Sequence, residues 1–199
     1  MRSEFTPEDP EVNFYKLMTA VVVPRPIAWV TSLSGDGVVN LAPHSFYTVV
    51  CANPPIVMFS SVGKKDTLRN VRATEQFVIN LATAPLIHAV NNSSARFPSD
   101  ESEAASLDIE MEASHHVAPP RVTGSPVSIE CALHSTQELG DSTMVLGNVV
   151  AIAVDTSVVV DGHPEYSRLD PLARLGKDEW AVHADVVAIR RPRTPEDIV

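Results

Sequence analysis

Residues 25–67 read RPIAWVTSLSGDGVVNLAPHSFYTVVCANPPIVMFSSVGKKDT, and the fold turns on this stretch. Apolar residues dominate 25–33 and predict a strand. Ser34-Gly35-Asp36-Gly37 supplies the residue types of a tight hairpin turn, and residues 38–42 read as the returning partner. Residues 46–52 and 56–61 carry the β-branched and aromatic side chains of two more strands, parted by Asn53-Pro54-Pro55. The pattern then changes. In KDTLRNVRATEQ, Asp66 reads as an N-cap, Leu68 and Val71 lie three apart, and Arg69 and Arg72 face outward. That spacing predicts a helix over residues 67–74.

Working outward, residues 12–19 predict a short helix, 77–82 a strand and 84–92 another short helix. Residues 93–125 read as irregular and polar. Two long β runs follow at 127–137 and 143–160, and 161–190 reads as mostly loop ending in a strand at 182–189. Sixteen prolines against eight glycines, clustered as Pro24/Pro26, Pro54/Pro55 and Pro119/Pro120, punctuate the apolar runs as turns do in strand-rich chains. The expectation is a mainly β chain with short helices, a β-barrel with helical decoration, forming one domain over residues 1–199.

Bulk properties narrow the function. A net charge of −10 argues against nucleic acid as the main partner, because that needs a basic footprint. No apolar run approaches the ~20 residues of a membrane span; residues 21–30 and 144–154 are broken by Pro, Arg, Gly or Asn. The start, MRSEFTPEDPEVNF, lacks the basic and apolar regions of a secretory signal. Cys51 and Cys131 both sit in apolar, strand-like surroundings, which suits buried thiols in a reducing compartment. A cytoplasmic protein is expected.

Several catalytic signatures are missing. No GxSxG occurs. Gly35-Asp36-Gly37 lacks the third glycine of a dinucleotide fingerprint, and Gly63-Lys64-Lys65-Asp66 lacks the upstream glycine of a P-loop. The seven histidines show no metal-ligand spacing with cysteine or carboxylate, so no metal is expected.

Two stretches carry chemistry. In Ser60-Ser61-Val62-Gly63-Lys64-Lys65-Asp66-Thr67, hydroxyls end a strand, glycine opens a loop and two lysines precede a helix. A helix start offers unpaired N–H groups and partial positive charge, which suit a phosphate; a solvated, capped surface turn would read the same. Trp29-Val30-Thr31-Ser32, paired across the hairpin with Asn40-Leu41-Ala42-Pro43-His44-Ser45, puts small polar side chains and a proline at a strand edge. A flat heterocycle would suit that edge, and so would a plain hairpin with no ligand.

Together, PRPIAWV, NLAP and KDTLRN, followed in order by ARFP, APPRVTGSPVSIECAL and LDPLARLG, resemble the flavin reductase-like proteins over about residues 14–189. The resemblance implies an FMN-binding split β-barrel acting as a homodimer, with the flavin at or near the subunit interface. It places Thr31, Ser32, Asn40, Ala42, Pro43, His44 and Ser45 along the ring and ribityl chain, and Ser60, Ser61, Lys65 and Thr67 at the phosphate. Trp29, Leu41, Lys64 and Asp66 complete the candidate set. NADH or NADPH is the expected co-substrate, no side chain is expected to be catalytic, and a partner monooxygenase is one possible recipient of reduced flavin. His44 stands where the family more often has Phe, and Trp180 where Tyr is common. A non-catalytic flavin-binding electron carrier and an enzyme like pyridoxamine phosphate oxidase are the alternatives.

Overall fold

The computed structural model describes residues 1–198. Its elements run α1 (Phe14–Val21), the two-residue β1 (Arg25–Pro26), β2 (Ala28–Leu33), β3 (Val39–His44), β4 (Tyr47–Ala52), β5 (Pro55–Val62) and α2 (Asp66–Thr74). Then come β6 (Gln76–Leu81), α3 (Ile87–Asn92), α4 (Glu103–Ser106), and the short β7 (Met111–Glu112) and β8 (Arg121–Val122). The long β9 (Val127–Leu139) and β10 (Ser142–Val154) follow. Last are β11 (Val159–Val160), β12 (His163–Pro164), α5 (Tyr166–Leu169), β13 (Ala173–Arg174) and β14 (Trp180–Ala181).

Seven strands form one antiparallel sheet in the order β3-β2-β6-β9-β10-β5-β4. Its two edge strands are joined by Ser45 and Phe46 alone. Laid flat, six inter-strand gaps would part β3 from β4 by about 29 Å. Three Cα–Cα steps reach only about 11 Å. The sheet therefore has to curl until its edges meet. Those edges do not pair with each other, and the result is a split barrel.

The barrel is filled by Ala28, Val30, Val57, Phe59, Phe77, Ile79, Cys131 and Val145, and Leu68 and Val71 of α2 plug one mouth. Phe59 and Phe77 meet edge to face, with centroids 5.5 Å apart. Gly147 is dictated by that packing: a Cβ there would lie 2.3 Å from the Phe77 ring.

β2 is buried on both faces. Its outer face joins a second core in which Ile27, Trp29 and Leu41 pack with Val90, Ala104, Val122 and Leu172. This explains why Ile27–Val30 are apolar without the alternation of a half-exposed strand. Asn80 anchors the outer side. Its amide donates to the Trp29 carbonyl and the Thr31 hydroxyl, and its oxygen accepts from the Val122 N–H and the Ser128 hydroxyl.

Several sequence expectations need correction. Lys65, not Asp66, is the N-cap of α2, so Asp66 is the first helical residue. Residues 93–125 include α4 and the β7–β8 pair, and the run at 143–160 ends as a strand at Val154. Cys51 is only half-buried, unlike Cys131. The strand expected at 182–189 does not form. Its β-branched residues find no partner strand in this chain, and Val187 stays 78% exposed. No helix among the described residues is long and apolar enough to cross a membrane.

Candidate functional site

β5 delivers the chain to Gly63, whose φ of 74° turns it into the start of α2. Lys65 is extended there and its side chain makes no capping hydrogen bond. Asp66 is turned away into an ion pair with Arg69 at 2.6 Å. The first amides of a helix have no carbonyl of their own to bind, so this helix start is left open to an outside acceptor. Lys64 and Lys65 form no ion pair among the described residues. Partial positive charge and two free cations converge in a chain whose net charge is −10.

The open helix start faces a cleft of about 580 Å³. Asn40, Ala42 and Pro43 of β3 form its floor, and Ser93–Phe97 with Glu103 form the opposite wall. That volume suits a ligand of nucleotide size. A groove of about 610 Å³ lies on the other side of the same turn. It shares Lys64 and Lys65 with the cleft, but its other cations, Arg69 and Arg72, are already paired with Asp66 and Glu138, and Asp141 adds a further carboxylate, which leaves less there for an anion.

Beneath the floor, Thr67 ties α2 to β3. Its hydroxyl accepts from the Asn40 amide at 3.0 Å and lies 3.4 Å from His44 Nε2. His44 is buried against Phe59, with ring centroids 4.7 Å apart. Burial, and then the charge of Lys65, push its pKa from 6.5 down to about 3, against a hydrogen bond to the Ser60 backbone. The folded protein therefore keeps this ring neutral, and the unfolded chain binds a proton that the folded one refuses. The stabilisation is complete above pH 6.5 and is lost as pH falls toward 3. Replacing His44 with Gln, which does not titrate and still accepts from Thr67, should flatten the fall in urea-unfolding free energy across that window. A slope equal to that of the native protein would exclude His44 as its source.

On the far wall, Glu103 accepts the Leu41 N–H at 2.9 Å and is only 7% exposed. Its pKa is raised above 4.5 by burial and by the charge of Asp66, against hydrogen bonds from the backbone of Leu41 and from its own. The Leu41 N–H thus points away from β2, and strand alternation turns position 43 the same way. Proline stands there without an N–H to leave unpaired.

Asn40, Ala42, Pro43, Lys64, Lys65, Asp66 and Thr67 thus line one cleft, while Ser45 lines a smaller neighbouring one that shares Pro43 and Ser94. Other candidates lie behind these walls. Trp29 donates to the Ser93 hydroxyl at 2.9 Å, Thr31 accepts from Asn80 and Ser32 from Asn70, and Leu41 is wholly core. Ser61 is buried, with its hydroxyl 3.4 Å from the Gly63 carbonyl, and Ser60 and His44 also stay off the lining. The sequence reading missed Ser93–Phe97 and Glu103 as wall residues. One signal was available: Arg96 is a rare cation in an acidic chain, exposed and without an ion pair among the described residues.

Residues 18–169 match the flavin reductase like domain. An uncharacterized protein of Bacillus subtilis, YwrF, is 34% identical over 190 residues, spanning 89% of this chain and 93% of the relative. Among solved structures, nitrilotriacetate monooxygenase component B from Bacillus cereus superposes with a TM-score of 0.88 at 30% identity, covering 95% of this chain and 98% of that one. A split barrel domain protein from Shewanella frigidimarina shares the fold, with a TM-score of 0.86 at 21% identity and coverage of 96% and 100%.

Proposed function

The chain belongs to the flavin reductase-like family, and from that premise we propose that it binds FMN and acts as an oxidoreductase using NADH or NADPH. The observation that carries this reading is the uncapped start of α2, with free Lys64 and Lys65, opening on a nucleotide-sized cleft floored by an edge strand. Bound there, FMN would supply the redox chemistry, accepting a hydride and passing electrons to a downstream acceptor.

The protein's own residues bind and orient. Lys65 and the first amides of α2 hold the phosphate, with Lys64 and Arg96 adding positive charge at the rim. The Asn40–Thr67–His44 contacts fix the distance between that phosphate seat and the β3 floor. The ring would lie toward the Pro43–Ser45 end of the β3 floor. Glu103 opposes the phosphate, since a carboxylate on the same cleft repels it. Glu103→Gln should tighten FMN about fivefold at neutral pH, the scale of one screened like-charge contact, and leave riboflavin unchanged. Equal effects on both flavins would show that the carboxylate does not act through charge.

The exposed Val49 and Val50 on β4 and Val150 and Ile152 on β10 form apolar surface that a second copy would cover, so the working unit is proposed to be a cytoplasmic homodimer. Similarity to a monooxygenase component supports a partner oxygenase as one recipient of reduced flavin. Rapid mixing of FMN-loaded protein with NADH or NADPH tests the reading: visible flavin absorbance should bleach with at least one nucleotide. Bound FMN that bleaches with neither would make the protein an electron carrier and refute the reductase assignment.

A further inference from the structure

Beside the cleft proposed for FMN, and sharing Pro43 and Ser94 with it, lies the smaller cleft, about 340 Å³. Trp180 and Tyr15 give it flat aromatic walls, Ile27 and Pro43 an apolar lining, and Arg174 a fixed cation. The Arg174 guanidinium lies 4.6 Å from the Trp180 ring centroid, and its Nη2 donates to the Lys177 carbonyl at 2.8 Å. Both contacts fix its position and neither cancels its charge. No carboxylate pairs with it among the described residues, and Asp178 at the rim is exposed and makes no ion pair.

A second cation deepens the imbalance. Arg25 stands opposite Arg174 in the β1–β13 pairing and is buried. Its guanidinium donates to the carbonyls of Thr19, Val22 and Leu175, and its Nε has no acceptor among the described residues. Two neighbouring guanidiniums without a counter-ion disfavour each other's charge, and a bound anion relieves both.

We propose that this cleft is a subsite for a single flat aromatic ring that carries a carboxylate directly on it. The ring lies along Trp180 and Tyr15 and the carboxylate on Arg174, beside the bed proposed for the flavin ring. The volume is small for a dinucleotide and suits one substituted ring. Because Arg174 rests on Trp180 itself, the ring and anion positions adjoin, which demands a directly attached anion rather than a distant pyrophosphate. The planar fork of arginine matches a carboxylate. The proposal rests on the flavin reading of the neighbouring cleft.

The test uses the FMN-loaded protein, titrated with benzoate and with its neutral isostere benzamide, read by calorimetry and by perturbation of the flavin spectrum. Benzoate should bind and shift the spectrum, with benzamide weaker on the order of tenfold. Arg174→Gln should abolish that preference, Arg174→Lys should keep part of it, and Trp180→Ala should weaken both ligands. The affinity for FMN, measured in each variant, should hold. Equal binding of benzoate and benzamide to the native protein overturns the proposal without need of any variant. So does an Arg174→Gln protein that binds benzoate normally but shows a raised KM for NADH or NADPH, since the cation would then serve the nucleotide. Protein that holds FMN yet ignores benzoate refutes this inference alone, whereas protein that holds no FMN refutes the flavin reading beneath it.

Discussion

Lys65→Ala should raise the dissociation constant for FMN by roughly 10- to 100-fold while changing that for riboflavin little. The two ligands differ only in the phosphate, and a charge-assisted hydrogen bond lost from a phosphate costs about 1.5–3 kcal/mol. The substitution is clean for a structural reason. Lys65 is the N-cap of α2, but its side chain makes no capping bond, so alanine removes the cation and leaves the helix start as it was. Lys65→Arg should recover most of the affinity, and raised salt should narrow the gap between native and alanine proteins. Fluorescence titration with both flavins measures all of this. Equal weakening of FMN and riboflavin would mean that Lys65 supports the fold of the cleft and does not contact the phosphate.

Trp29→Ala should cost about 3–5 kcal/mol of stability, as removal of a fully buried indole does elsewhere. In a chain of this length that lowers the melting temperature by about 6–20 °C. The effect should reach the site as well. Trp29 is fully buried in the second core, and its indole N–H donates to the hydroxyl of Ser93, which in turn donates to the Val90 carbonyl. Ser93 begins the Ser93–Phe97 wall of the cleft. Removing the indole therefore loosens that wall, and FMN should bind more weakly in proportion. Trp29→Phe keeps most of the apolar contact and should melt between the two. Melting is best followed without flavin, because ligand binding adds its own stabilisation. A Trp29→Ala protein that melts with the native one would contradict the two-core packing.

Trp29 also shows where sequence reading reached its limit. Strand alternation with one solvent face would have turned Trp29, Thr31 and Leu41 outward, toward a ligand. Instead α3, α4 and the segment between them bury that face, and the trace along the chain was the apolar run Ile27–Val30, which does not alternate with polar residues. The hairpin at Ser34–Gly37 and the strand–turn–helix at 60–74 were legible because local rules govern them: turn residues, β-branched runs and a 3.6-residue spacing. The Ser93–Phe97 wall was not. It is placed by Trp29, 64 residues away in sequence from Ser93, and by the packing of α3. Glu103 met the same obstacle, since its role depends on a backbone N–H of β3, 62 residues earlier. The strand expected at 182–189 failed differently: its composition was right, but a strand exists only beside another strand.

A crystal structure of the protein grown with FMN tests the central claim most directly. Density for the phosphate should lie within hydrogen-bonding distance of the Lys65 ammonium and the Thr67 amide, with the ring running along β3 toward Pro43–Ser45. Flavin density elsewhere on the barrel, or a phosphate pointing away from the start of α2, would contradict it.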